Sequence, residues 1–328
     1  MLIYSHTISK RLQYICKFIF QEQLGIGFSL TIDQESFKQH EGPKINYSEL
    51  SIDGNTINLR NHSKKKKKEI KEQSIECFET NNYKAFFKTP GSDVAFDIFA
   101  ASFYLLSRYE EYLPHAEDMY GRYAHENSLA FKEGFLQQPL VNIWIIDFVN
   151  TLKNKFPALN IKFSSFSYTP TYDIDIAWSY KSKGLIRNFG GFLKSPSVDR
   201  IAVLAGITKD PYDCYEFLRL LHDKYQLDPI YFFLVATSKS MYDKNISPYS
   251  HSMWQLIKKH AKLYRIGLHP SWKSFQNFSL LIKEKKIVET AGHTGITRSR
   301  QHYIKFAMPE TFVELLQAGI TEDYSMGY

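Results

Sequence analysis

Cysteine is scarce in this chain of 328 residues, and the three present, Cys16, Cys77 and Cys214, are scattered with no Cys-x-x-Cys spacing. That excludes a disulfide framework and a cysteine-ligated zinc cluster, and reads as free thiols in a reducing compartment. Long apolar runs are missing too: none reaches the roughly 18 residues needed to span a bilayer. The opening residues, Met1-Leu2-Ile3-Tyr4-Ser5-His6, lack the basic region, apolar core and small-residue cleavage site of a secretory leader. Cytoplasmic residence without a transmembrane segment is the expectation. At 44% apolar and 23% charged the composition is that of a folded globular protein.

What is present in excess is positive charge and aromatic side chains. The net charge is +7 and the isoelectric point near 9.0. Much of the surplus is one unbroken run, Lys64 to Lys68, which reads as a solvated loop. The remainder is nearly balanced, so the charge does not argue for a nucleic-acid partner. Aromatic residues make up 16% of the chain, with 25 Phe and 22 Tyr. Such content serves aromatic-rich cores or a groove that stacks flat substrates such as sugar rings.

Two patterns divide the chain. Residues 1–165 read as an α+β domain. Gly27–Ile32 and Ile52–Ile57 read as short strands and a turn, and helices cover Arg11–Glu22, Asp97–Leu113 and Leu140–Lys153. Residues 166–328 alternate strand and helix. Strands are expected at Ser167–Ile176, Pro229–Ala236 and Tyr264–His269, and helices at Tyr212–Tyr225, Ser252–Leu263, Phe278–Lys286 and Met308–Ala318, with Gly319 as the last helix's stop. That order implies a mostly parallel α/β sheet or barrel, whose chemistry sits at the C-terminal ends of its strands.

Asp173 and Asp175 fall at such an end, two residues apart and so on one face of an extended strand. Like charges that close call for a cation or a raised pKa. His269 closes another apolar run. Asp175 and His269 suit a divalent transition metal, and a catalytic zinc site takes three protein ligands. His302 is the best third ligand by position, with His293 second. Asp173 is then free to take a proton from a water whose pKa the ion lowers to roughly 7, and Arg300 pairs with it to hold it ionised. Each residue also has a plain structural use, the aspartates as loop anchors and His269 as a donor to a carbonyl. Arg108, Glu110 and Glu111 read as surface or interdomain ion pairs without a catalytic role.

Thr171-Tyr172-Asp173-Ile174-Asp175, Gly267-Leu268-His269-Pro270-Ser271-Trp272-Lys273-Ser274 and Ser299-Arg300-Gln301-His302-Tyr303 resemble motifs of the polysaccharide deacetylases of the NodB-homology group, carbohydrate esterase family 4. The segment Phe96 to Tyr112 resembles the N-terminal accessory domain of a divergent bacterial branch of that family. The resemblance implies an irregular (β/α) barrel preceded by an α+β domain, a base at Asp173, metal ligands at Asp175 and His269, and a divalent ion, zinc first with cobalt or nickel as alternatives. It also implies hydrolysis of acetyl groups from sugars of a cell-surface polysaccharide or its precursor. Two departures stand out. Lys273 occupies the position of the family's second histidine, for which His302 is the replacement proposed, and the chain stops where the family's barrel continues, so a C-terminally incomplete barrel is the expectation. A non-catalytic glycan-binding or assembly protein of the same fold is the alternative, and a hydrolase of another C–N bond is a third reading.

Overall fold

The structure, a computed structural model, describes residues 1–62, 69–194, 196–238 and 240–326. The expected lysine loop, Lys64 to Lys68, lies outside the described residues. Two compact units emerge, one of residues Met1–Ala116 and Tyr123–Phe166, the other of Glu117–Arg122 and Ser167–Tyr328. Among the described residues no helix is long and apolar enough to cross a membrane.

The first unit is built on strands β1 (Leu2–Tyr4), β2 (Ser29–Thr31), β3 (Lys44–Tyr47) and β4 (Ile57–Leu59). They pair in the order β2-β1-β3-β4, all parallel. An α+β arrangement was the expectation. The parallel order arises because α1 (Lys10–Cys16), continued by a π-helical stretch to Gln23, and α2 (Gln34–Gln39) carry the chain back between strands. Ser9 caps α1 by accepting from the Leu12 amide, and Asp33 caps α2 by accepting from the Glu35 and Ser36 amides. A hairpin of β5 (Phe78–Thr80) and β6 (Tyr83–Ala85) turns on Asn81 and Asn82, both left-handed, the two-residue turn that matches strand twist.

Helix α3 (Ile98–Leu106) is shorter than its apolar periodicity predicts. Arg108 adopts φ 50° and breaks the helix, and a 3₁₀ turn, Tyr109–Tyr112, follows. Arg108 pairs with the buried Glu111, and the Glu110 carboxylate accepts from the Leu129 amide. These three groups therefore lock the end of α3 within the first unit, rather than forming surface pairs. The short helix α4 (Leu129–Lys132) and the longer α5 (Leu140–Lys155) complete the unit, with Trp144, Phe148 and Leu152 in its core.

In the second unit β7 (Thr171–Ile174) leads to α6 (Leu185–Lys194), α7 (Val198–Leu204) and α8 (Tyr215–Tyr225), the first two of which have no counterpart in the sequence-based expectation. Then follow β8 (Ile230–Leu234), α9 (His251–Leu263), β9 (Arg265–His269), α10 (Phe278–Gly292), β10 (Arg298–Ser299), α11 (Glu310–Gln317) and β11 (Glu322–Asp323). The sheet is wholly parallel in the order β11-β10-β9-β8-β7. It is an open sheet: among the described residues β7 and β11 are its edges and no strand joins them, so the expected barrel is not closed.

Alternation assigns the two faces. Ile174, Tyr231, Phe233 and Leu268 pack with Ile257 and Val288 of the helices, whereas Phe232 turns to the other face. The Phe232 ring lies across Gly267, where a Cβ would come within 2.6 Å of it. Glycine is required there by close approach, not by turn geometry. Arg300 stacks over the same ring at 5.0 Å and Tyr324 packs on it at 5.3 Å. The guanidinium donates from Nη2 to Thr171 Oγ1 on one edge strand and from Nε to the Tyr324 carbonyl just past the other. One arginine thus spans the curled sheet from edge to edge, above a single phenylalanine.

Candidate metal centre

The C-terminal ends of three strands bring the ionisable groups together. Asp175 follows β7, His269 ends β9, and His302 opens the 3₁₀ turn after β10. Asp175 Oδ1 lies 3.0 Å from His269 Nε2 and 3.6 Å from His302 Nε2. Each residue offers one ligand atom, and all three lie within 4.8 Å of one another. A tetrahedral ion with bonds of about 2.0–2.1 Å needs ligand atoms about 3.3–3.4 Å apart, inside that range.

Proton placement strengthens the fit. His269 Nδ1 sits 2.5 Å from the Arg300 carbonyl, which can only accept, so Nδ1 carries the hydrogen. His302 Nδ1 is 3.1 Å from Asp243 Oδ1, a carboxylate that fixes the same tautomer. In the neutral rings both Nε2 lone pairs then face a carboxylate oxygen. Asp175 Oδ1 itself is buried with no hydrogen bond of good geometry, although His269 stands at ion-pair distance. Three electron pairs converging without a proton between them repel, and a cation relieves the repulsion. The donor set of two imidazoles and one carboxylate fits zinc or a neighbouring divalent ion. Without an ion the alternative is protonated imidazoles: burial then pushes the Asp175 carboxyl upward, but a hydrogen bond and charge from His269 and the charge of His302 outweigh it and hold it below the usual carboxylate value.

Asp173 stands beside this trio with a different set of partners. Its Oδ1 accepts from Arg300 Nη1 at 3.2 Å, and its Oδ2 lies 4.0 Å from His269 Nε2. Asp173, Asp175, His269, Arg300 and His302 share one cleft of about 560 Å³, which Tyr242, Tyr303 and Tyr324 also line. His293, the second candidate ligand, is not in that cleft. It caps the C-terminus of α10 with φ 51° and lines a separate groove with His251 and Trp254. Lys273 points away as well, its Nζ donating to Ser238 Oγ at 3.0 Å.

Asp243 is a functional candidate with no signal in hydrophobic periodicity or motif spacing. Its side chain is fully buried, and besides orienting His302 it accepts from the Trp272 amide at 2.9 Å and from Ser240 Oγ at 2.6 Å. Burial raises its pKa, yet His302, Ser240 and the Trp272 amide together bring it below the ordinary value. A carboxylate on the rear nitrogen of a ligating histidine fixes the ring and raises its basicity. Asp243→Ala is therefore expected to weaken cobalt binding about 10–100-fold, and Asp243→Asn by less, as read by competitive titration against a chromophoric chelator.

Below the His269 turn lies a second buried acid. Glu284 Oε2 accepts from the Ser271 amide at 3.0 Å, while Oε1 is buried without a partner. Burial drives its pKa from 4.5 to about 7, against the Ser271 and Thr237 amides and with the help of nearby Asp243. A carboxyl whose folded value is raised stabilises the fold while protonated. That contribution is complete below pH 4.5 and is lost as the pH climbs through about 7. Unfolding in urea should show the wild type losing roughly 3 kcal/mol relative to Glu284→Gln between pH 4.5 and 8. A constant difference across that window would mean that Glu284 is ionised throughout.

The fold and the site define a two-unit α/β protein with a carboxylate–imidazole cluster at the C-terminal end of a parallel sheet. A family of unknown function, DUF7033, matches residues 1–157. No curated protein matches the sequence. Among solved structures the chain is similar to a Mycobacterium smegmatis protein assigned to the polysaccharide deacetylases, at 13% identity and a TM-score of 0.33 over 50% of this chain and 54% of that one. This chain thus spans about half of that protein's length. It is also similar to IcaB from Ammonifex degensii, at 11% identity and a TM-score of 0.28 over 48% of this chain and 84% of that one. Similarity at this level carries no functional argument, and the residues themselves must supply it.

Proposed function

We propose that the second unit is a metal-dependent hydrolase that removes acetyl groups from amino sugars or sugars of a cell-surface polysaccharide or its precursor. The observation that carries this reading is the convergence of Asp175 Oδ1, His269 Nε2 and His302 Nε2, with the Arg300-paired Asp173 alongside. Asp175, His269 and His302 hold the divalent ion, which when bound polarises a carbonyl and lowers the pKa of a water to about 7. Asp173 takes a proton from the attacking water through Oδ2, the oxygen that Arg300 leaves free, and that proton leaves with the sugar's amine or hydroxyl as the C–N or C–O bond breaks. Arg300 aims that carboxylate through its bond to Oδ1, its other donors being tied to Thr171 and Tyr324. The deacetylase-like motifs around these five residues point to acetyl groups on sugars as the substrate class.

The test is acetate release from N-acetylglucosamine oligomers and from 4-nitrophenyl acetate by purified protein, before and after chelation and on return of zinc, cobalt or nickel. Metal-restored release at one ion per chain is the expected result. Protein that takes up no stoichiometric ion and releases no acetate, yet binds the oligomers, would instead be a glycan-binding protein on a deacetylase-like scaffold.

A further inference from the structure

Helices α6 and α7 stand apart from the core of the second unit. Among the described residues, none of theirs joins the cluster that packs Ile174, Tyr231, Phe233 and Leu268 against α9 and α10. Their apolar side chains face water instead. Phe189 is 66% exposed, and Leu193, one turn further along the same face of α6, is 67% exposed. On α7 Val198 is 82% exposed and Ile201, three residues on, is exposed as well, while Ile207 just beyond the helix is 77% exposed. A single exposed apolar residue needs no explanation, but five large ones on two linked helices do.

The pair is fastened by polar contacts. Arg200 of α7 donates from Nη1 to the Asn188 carbonyl of α6 at 2.8 Å, and its guanidinium lies 4.9 Å from the centre of the Tyr180 ring. The buried Asp210 closes the base of this hairpin: it accepts from the Ser179, Tyr180 and Lys181 amides on one side and from the Tyr212 amide on the other. The hairpin is also basic. Residues 181–210 include six Lys or Arg against two Asp, and the charge of Asp210 is already taken up by backbone amides. Outside this hairpin and the run Lys64 to Lys68, the rest of the chain is slightly acidic. Lys181, Lys194 and Lys209 are exposed.

We propose that α6 and α7 form a peripheral docking face for an anionic lipid bilayer, in which Phe189, Leu193, Val198, Ile201 and Ile207 enter the boundary between headgroups and acyl chains while the lysines meet the lipid phosphates. Charge complementarity selects this occupant. A second copy of the chain would set one basic hairpin against another, which like-charge repulsion opposes, and a neutral apolar partner would leave the lysines without a role. With ten and seven residues, neither helix approaches the roughly 20 needed to span a bilayer, so contact is shallow and reversible. Docking of this kind is independent of the chemistry at the candidate metal centre.

The experiment is flotation of the full chain with phosphatidylcholine vesicles, with and without about 30% phosphatidylglycerol, at about 0.1 and 0.5 M sodium chloride. Wild type should bind the anionic vesicles at about tenfold lower lipid concentration than the neutral ones, and the higher salt should remove most of that difference. Leu193→Ser combined with Ile207→Ser should raise the lipid required at least about tenfold, and Lys194→Ala combined with Lys209→Ala should raise it about tenfold on anionic vesicles alone. All four side chains are exposed, so the fold should be kept, and circular dichroism checks that it is. Absence of vesicle binding by the wild type, equal binding to neutral and anionic vesicles, or unchanged binding in both double variants would overturn the proposal. Binding lost only on replacing Lys64 to Lys68 by serine would assign it to that run and overturn the proposal too, as would a concentration-dependent dimer in sedimentation that the Leu193→Ser, Ile207→Ser variant abolishes without a change in flotation.

Discussion

Asp175→Ala should bind cobalt at least about a hundredfold more weakly than wild type, beyond the 10–100-fold range of losses from outer-sphere residues. Asp175 is the informative ligand to remove because it is half-buried, whereas His269 and His302 are buried and their truncation would leave cavities. The visible absorption of bound cobalt reports coordination directly, and stoichiometry at one ion per chain separates the site from surface binding. A second readout distinguishes a metal centre from an ordinary ion-pair network. In metal-free protein the carboxylate of Asp175 faces two imidazole lone pairs, so its removal should cost less than about 1 kcal/mol in urea unfolding, the scale of a weak ion pair. A large loss of metal-free stability, with no change in cobalt binding, would mean that the trio is a protonated structural network and would remove the basis for hydrolysis.

Asp173→Asn should lower kcat for acetate release by about 10²–10⁴, the range assigned to a positioned general base, with metal stoichiometry retained. The amide keeps the shape of the carboxylate but cannot accept the proton. Arg300 then faces a neutral partner, so a second, smaller effect is expected at that residue. Arg300→Lys should retain part of the activity, because a single ammonium cannot reproduce three donors directed at Asp173, Thr171 and Tyr324. Activity in Asp173→Asn within about threefold of wild type would assign the base elsewhere in the cleft.

The parts of this protein that were legible in the sequence share one property: they depend on short-range periodicity. The five apolar residues of β8, bounded by Pro229 and Ala236, announce a strand buried on both faces, and that is how Ile230–Leu234 sits. The α11 helix starts beside Pro309 and stops at Gly319, whose φ of 76° is the left-handed stop that glycine provides. Where expectation and structure part, longer-range contacts decide. Asn245 binds the Ile174 and Leu234 carbonyls and the Ala177 amide, which ends β7 sooner than its composition suggests. Arg108 breaks α3 in a left-handed turn closed by its pairing with Glu111, although the apolar stripe continues. Helices α6 and α7 have weak local signals, because Gly190 and Gly191 lower the helix propensity of the first and Pro196 stands just ahead of the second.

The sequence by itself determined that Asp173 and Asp175 end a strand and that His269 ends another, because a two-residue repeat and a bounded apolar run suffice to locate a strand and its last residue. Only the tertiary structure decided that His302 joins them while His293 caps a distant helix end, that Asp243 orients His302, and that Tyr120 packs against Tyr303. Those groups meet through side chains pairing across 59 residues in one case and through rings packing between positions 120 and 303 in another. Local patterns carry no information about such distances, which are set by the curl of the sheet over Phe232 and by the turns that follow its strands.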